Sequence, residues 1–154
     1  MTIATAVEHY MQTNGFTREE YTAKSVPVKV GPFIFRLPNG PARQRAIAQH
    51  DVHHVLTGYA TDLAGEAEIG AFELRAGCTS FFLYMINIAA VVAGLFIAPR
   101  KVLRAWRRAR GARTLYALGL GSGDVERLEV EALRELAGVP RDGYAARHVR
   151  STAS

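Results

Sequence analysis

The run Phe81 to Ala98, FFLYMINIAAVVAGLFIA, holds eighteen consecutive residues without a charge and is followed at once by Pro99-Arg100-Lys101. Coiled as one helix it measures about 27 Å at 1.5 Å per residue, just short of the roughly 30 Å of a bilayer's hydrocarbon. Such a segment has three destinations: the central helix of a bundle, the wall of an apolar tunnel for a lipid tail, or a membrane crossing. A crossing would separate the preceding helices from the following ones, with which they should share a core. A buried or lipid-lining helix is therefore the expectation, and a single span at 81–98 the alternative. Beyond Pro99 the composition inverts. Arg100, Lys101, Arg104, Arg107, Arg108, Arg110 and Arg113 surround the lone Trp106, and no acidic residue occurs between Glu73 and Asp124. The chain's net charge of +5 is thus concentrated in this region. A basic helix over 100–116 carrying Leu103, Trp106 and Leu115 suits an anionic membrane surface, where each basic residue near the headgroups contributes about 1 kcal/mol. Phosphates of nucleic acid attract the same side chains, but no nucleic-acid module accompanies them, and no nucleic-acid partner is expected.

The other elements follow from punctuation. Thr2 to Met11 reads as a short amphipathic helix, and Thr17 caps a second one beginning at Thr17-Arg18-Glu19-Glu20-Tyr21. VPVKVGPFIFRLP, residues 26–38, alternates around Gly31-Pro32 and reads as a short β hairpin. Pro41, after Asn39-Gly40, starts a helix over 42–57, with Ala46, Ile47, Val55 and Leu56 as its buried stripe. A second helix over 61–74 presents Leu63, Ile69, Ala71 and Phe72 to the core. Gly119 to Gly123 is a turn without the lysine of a phosphate loop. A closing helix spans 124–137, with Val125, Leu128, Ala132, Leu133 and Leu136 inward and Gly138 as its stop. With 154 residues the chain is long enough to enclose a core. The reading is a mainly α, single-domain helical bundle over 1–138 with a mobile polar tail over 139–154. Cys78 is the only cysteine, which excludes an internal disulfide and is compatible with a reducing compartment. The stretch MTIATAVEHYMQTNG has neither a basic leader nor a long apolar core, so no signal peptide is expected.

The chemistry concentrates at His50-Asp51-Val52-His53-His54, three of the chain's five histidines, separated by eleven residues from Glu66. On a helix His50 and His54 stand one turn apart on one face with Asp51 beside them. This resembles the HExxH spacing of zinc hydrolases with the shorter Asp in second place. A break at Thr57-Gly58-Tyr59 lets the next helix double back so that Glu66 faces the histidines. Two imidazoles and carboxylates suit a divalent metal: zinc first, with Fe(II), Mn or Co as alternatives. Glu73, seven residues after Glu66 on the same face, is either a partner that orients a histidine N–H or, the preferred reading, a solvated glutamate. His9 and His148 are not expected to be ligands.

HDVHHVLTGYATDLAGE, with its HDxxH, eleven-residue gap and final GE, resembles the signature of the ubiquinone (coenzyme Q) biosynthesis protein Coq-four family. The likeness extends with declining strength over residues 38–140. It implies His50, Asp51, His54 and Glu66 as metal ligands and catalytic residues, with His53 at a variable position outside the ligand set. It further implies a lyase-like role in ubiquinone biosynthesis: oxidative decarboxylation and hydroxylation of a polyprenylated aromatic precursor. The protein would sit peripherally on the cytoplasmic face of a membrane, as a homo-oligomer or with other ubiquinone-biosynthesis proteins. The isoprenoid tail would lie along the uncharged helix. The chain departs from the family in being shorter, with less helix ahead of the motif, and in its more apolar 81–98 helix. Two other readings compete. A metal-dependent hydrolase would use Asp51 or Glu66 as general base on metal-bound water, and a non-catalytic lipid-binding scaffold would use the metal as a clamp.

Overall fold

The computed structural model describes residues 1–17, 25–30, 33–38, 40–79 and 81–145. The protein is a mainly helical bundle, as the patterning predicts. Its elements are α1 (Ile3–Asn14), the strands β1 (Ser25–Val30) and β2 (Phe33–Pro38), then α2 (Pro41–Thr57), α3 (Leu63–Ala76), α4 (Phe81–Ile97), α5 (Pro99–Arg108), α6 (Leu115–Leu118), α7 (Ser122–Arg127) and α8 (Val130–Ala137). The strands form the expected antiparallel hairpin, with Val30 opposite Phe33. The helix start predicted after Thr17 lies outside the described residues.

At the centre, α3 packs on α4 and α5 along one side and meets α2 on the other. Phe72, Ile3, Leu56, Ile69, Leu115 and Leu133 are fully buried. Glycine sets the spacing between α3 and α4: a Cβ at Gly94 would lie 2.2 Å from the Ala67 Cβ and 2.9 Å from Val102 Cγ2. The helices therefore touch almost backbone to backbone, and α4 can lie flat on α3 with few side chains between them. Leu63, expected in the core, is instead exposed, because it occupies the first helical position after the Asp62 cap.

The uncharged helix is not the centre of the bundle. It lies outside α3, with Asn87 and Gly94 on its buried face and Phe81, Met85, Val92 and Phe96 exposed. It covers 17 residues, and among the described residues no helix is long and apolar enough to cross a membrane. The single span at 81–98 is thus not formed.

Three further boundaries differ from the sequence reading. The basic helix stops at Arg108, and the chain turns through Gly111 at φ 84°. The segment that follows is extended because its amides are taken by distant carbonyls: Arg113 N–H donates to Ala137 O and Thr114 N–H to Ala76 O. Leu115, placed by its sequence on the basic helix, is accordingly a core residue. The closing helix is broken at Leu128-Glu129, where Thr2 forms a bridge to Glu129 and the Ile3 N–H donates to Leu128 O at 2.8 Å. That break shifts the helical phase, so Val130, Leu133 and Ala137 face inward while Ala132 and Leu136 are exposed. The tail is not polar and loose from 139 onward. Val139 and Tyr144 are buried, and the N–H of Tyr144 donates to Thr57 O at 2.7 Å. Residues 146–154 of the expected mobile tail lie outside the described residues.

Candidate metal centre

Two helices and the short link between them assemble the site. α2 ends at Gly58, the cap of the turn that carries His54. The link reverses at once, and Asp62 caps α3 by accepting from the Gly65 N–H at 2.7 Å. A Cβ at Gly65 would stand 2.0 Å from the Ala60 carbonyl oxygen, so only glycine lets the link press against the first turn of α3. That is the structural use of the GE pair: Gly65 permits the tight return and Glu66 then projects toward α2.

His50, His54 and Glu66 converge with their donor atoms within 4.8 Å of one another. The two imidazoles face each other and approach different oxygens of the Glu66 carboxylate. His50 Nε2 and His54 Nε2 are 3.3 Å apart, His50 Nε2 and Glu66 Oε2 3.3 Å, and His54 Nε2 and Glu66 Oε1 3.3 Å. Two ligands each about 2.0–2.1 Å from a tetrahedral ion are themselves about 3.3 Å apart. The residues present therefore fit a divalent cation held by two imidazoles and one carboxylate.

The other ring nitrogens fix the tautomers. His54 Nδ1 lies 3.0 Å from the Tyr59 carbonyl oxygen, which only accepts, so Nδ1 donates to it and Nε2 is the nitrogen turned toward the site. His50 Nδ1 donates to Glu73 Oε1 at 3.0 Å, which leaves Nε2 as the ligand atom. Such hydrogen bonds behind ligating histidines orient the ring and raise its basicity. The Tyr10 ring from α1 stacks on His54, 5.5 Å between centroids and 24° between planes. His54 is buried, whereas His50 and Glu66 are about a quarter and a third exposed, so any open coordination position faces their side.

Glu73 is not a solvated glutamate: its carboxylate is fully buried. It accepts from His50 Nδ1, from His53 Nδ1 at 2.7 Å and from Asn87 Nδ2 at 2.7 Å, with the Tyr116 hydroxyl 3.4 Å away. His53 is neutral: burial lowers its pKa more than the bond to Glu73 raises it. The Leu115 N–H donates to His53 Nε2 at 3.0 Å, so the proton of His53 sits on Nδ1, toward Glu73. His53 is thus a structural hinge between α2 and the start of α6, outside the ligand group.

Charge is shared accordingly. Burial opposes a charge on His50, but its bonds to Glu66 and Glu73 outweigh this and raise its pKa to about 10. Burial pushes Glu66 up, and the contacts with His50 and His54 more than reverse it, to about 2. Glu73, despite a large burial penalty, is held well below the usual carboxylate range by His50 and His53. A proton on His50 and a divalent cation are alternatives for one electrostatic niche.

Asp51, the fourth residue implied by the resemblance, is buried but not part of the converging three. Its carboxylate interacts with the Tyr10 hydroxyl, whose pKa is raised first by burial and then by Asp51 and Glu66. Asp51 also lines a cavity of about 280 Å³ between α1, α2 and α7, with Val7, Val52, Val125 and Glu126 among its walls. None of His50, His54 and Glu66 lines this cavity, and α4, expected to line a tunnel, contributes nothing to it. His9 is exposed on α1, and His148 lies outside the described residues. Tyr10 and Tyr116 carry no sequence signal for their places beside the site. Asn87 does, as the only amide in the uncharged run. Compared with known protein families and with curated proteins, the chain matches none.

Proposed function

We propose that this chain is a divalent-metal enzyme of ubiquinone biosynthesis that replaces the ring carboxylate of a polyprenylated aromatic acid by a hydroxyl group. The observation that carries the metal part is the convergence of His50, His54 and Glu66 with their ligand atoms within 4.8 Å of one another, the remaining histidine nitrogens being tied to fixed acceptors. The choice of substrate comes from the resemblance of HDVHHVLTGYATDLAGE to the Coq-four signature. Two imidazoles and one carboxylate with open positions are the donor set of catalytic zinc and also of non-haem Fe(II) sites. Zinc comes first for this donor set, with Fe(II), Mn or Co as alternatives.

When bound, the ion would supply Lewis acidity for the carboxylate or neighbouring phenolic oxygen of the substrate. The chain's own residues do the rest. His50, His54 and Glu66 hold the ion, Glu73 keeps the His50 ring in register, and Tyr10 covers His54. The overall change is a two-electron oxidation: the ring–carboxylate bond breaks to release CO2, and a carbon–oxygen bond forms in its place. With water as the source of that oxygen and dioxygen as oxidant, hydrogen peroxide is the by-product. The location is the cytoplasmic face of a membrane, where a prenylated substrate resides, with other enzymes of the pathway as neighbours.

The test is metal analysis of the gently purified protein followed by incubation with a prenylated hydroxybenzoate labelled at its carboxyl carbon. About one ion per chain and release of labelled CO2 are expected. Metal without CO2 release transfers the site to the hydrolase reading, which the same two-histidine, one-glutamate set supports. Neither metal nor CO2 sinks both and leaves the scaffold.

A further inference from the structure

The outer face of α4 is unlike the surface of an ordinary bundle. At 100° per residue, Phe81, Tyr84, Met85, Ile88, Val92 and Phe96 fall within about 120° of the helix circumference, and all are exposed. Phe81 and Phe96 are 81% and 86% exposed. They stand near the two ends of the helix, about 22 Å apart at 1.5 Å per residue, with the exposed Tyr84, Met85, Ile88 and Val92 between them. The opposite face, centred on Asn87 and Gly94, is the one packed on α3. The arc is therefore neither core nor covered by any described element.

Its chemical context identifies what covers it. α4 runs through Ala98 into α5, where Leu103 and Trp106 are also exposed, and residues 100–113 hold seven basic side chains and no acidic one. Glu68 on α3 faces three of them, Lys101, Arg104 and Arg108. A wide uncharged arc beside a concentrated positive field matches a surface that is apolar within and anionic at its rim. A second copy pairing through α4 would bring two such fields together, with like charges opposed. Nucleic acid would satisfy the charges and leave the phenyl rings in water.

We infer that the exposed face of α4, with the basic α5 beside it, docks this protein onto an anionic phospholipid bilayer: the phenyl rings of Phe81 and Phe96 enter the acyl boundary, and the basic residues of 100–113 contact the headgroups. The inference gives a surface to the membrane location in the proposed function, on which it rests for that location alone. The docking itself does not require the metal chemistry. It places the candidate metal centre close behind the bilayer surface. Asn87, on the inner face of α4, bonds Glu73 at 2.7 Å, and Glu73 bonds His50 at 3.0 Å. Only the thickness of one helix, about 10 Å, separates the docked face from the residues behind the site.

The test uses the full chain with vesicles of phosphatidylcholine alone and of equal parts phosphatidylcholine and phosphatidylglycerol. Binding is read by co-sedimentation and by the emission of Trp106, the only tryptophan of the chain. Binding to the mixed vesicles only, weakened by salt, with a blue shift of Trp106, is expected. Phe81→Asp and Phe96→Asp, which stand in water in the free protein, are each expected to weaken binding about tenfold or more. Unchanged circular dichroism and unchanged metal content would show that they fold. Absence of binding to the mixed vesicles overturns the inference, as does equal binding by properly folded Phe96→Asp. A change of Phe96→Asp from dimer to monomer without vesicle binding assigns the face to a second copy instead. Elemental analysis reads the metal site separately: vesicle binding by a metal-free protein sinks the metal reading and keeps the docking, and the converse result does the opposite.

Discussion

Replacing Glu73 by glutamine changes one atom and one charge at a fully buried position, and the geometry specifies the consequence. Glu73 accepts from His50 Nδ1, His53 Nδ1 and Asn87 Nδ2 at 2.7–3.0 Å. An amide has one acceptor oxygen where the carboxylate has two. If that oxygen faces the histidines, the amide NH2 meets the NH2 of Asn87, and a buried donor is stranded at a cost of about 1–3 kcal/mol. The two histidine bonds also lose their charge assistance, about 1 kcal/mol each. A neutral side chain is cheaper to bury, which offsets part of the loss, so the net destabilisation is about 3 kcal/mol. If the amide is turned the other way, its NH2 faces two Nδ1–H groups. His50 is then driven to the tautomer with its proton on Nε2, the atom that should bind metal. Either arrangement lowers metal affinity about 10–100-fold, although residue 73 does not touch the ion. The assays are urea unfolding, comparing midpoint at constant slope, and metal titration against a chromophoric chelator. An affinity within about twofold of the parent, with stability within about 0.5 kcal/mol, would refute the account of Glu73 as the anchor of His50.

Three other outcomes are expected. His54→Ala and Glu66→Gln each abolish stoichiometric metal binding by elemental analysis, whereas Asp51→Asn retains it; loss in Asp51→Asn would add Asp51 to the ligand set, as the family resemblance implies. Gly94→Ala forces a Cβ to 2.2 Å from the Ala67 Cβ and should cost about 1–3 kcal/mol in denaturant unfolding, with no change expected only if α4 is not seated on α3. In the metal-free protein the His50–Glu66 contact acts on both sides of its pH window: Glu66, depressed from 4.5 to about 2, gives stability that is complete above 4.5 and fades as pH falls through 2. His50, raised from 6.5 to about 10, gives stability that is complete below 6.5 and is lost as pH rises through 10. Thermal melts of chelator-treated protein should therefore show this contribution greatest between those limits, and melts flat across pH 6.5 to 10 would contradict the His50 arrangement.

The helical class, the hairpin, the helix carrying HDVHH and the return that brings Glu66 toward it were all legible in the chain. Each is fixed by local rules: periodicity, Gly58 and Asp62 at helix ends, Pro41 at a helix start, and a four-residue spacing that puts two side chains on one face. The sequence also pointed to Glu73 by its seven-residue offset from Glu66. It could not show whether that face was wet, because burial depends on Asn87 and Tyr116, which arrive from α4 and α6. The break in the closing helix was illegible for a similar reason: it is made by backbone hydrogen bonds to Met1 and Ile3, more than a hundred residues earlier.

What the amino-acid sequence alone determined is the set of donors and the helix that spaces them, since His50 and His54 are one turn apart wherever that helix lies. It also determined that an uncharged segment would be followed at once by a strongly basic one. Tertiary structure alone decided that His53 ties α2 to the start of α6, that Asp51 lies beside Tyr10 and a cavity, and that the uncharged helix turns Phe81 and Phe96 outward. The physical reason is that composition fixes how much apolar surface a chain must place, whereas close contact fixes where it goes. With Gly94 pressed against Ala67, α4 buries its narrow glycine and asparagine face on α3, and its larger side chains are left on the outside.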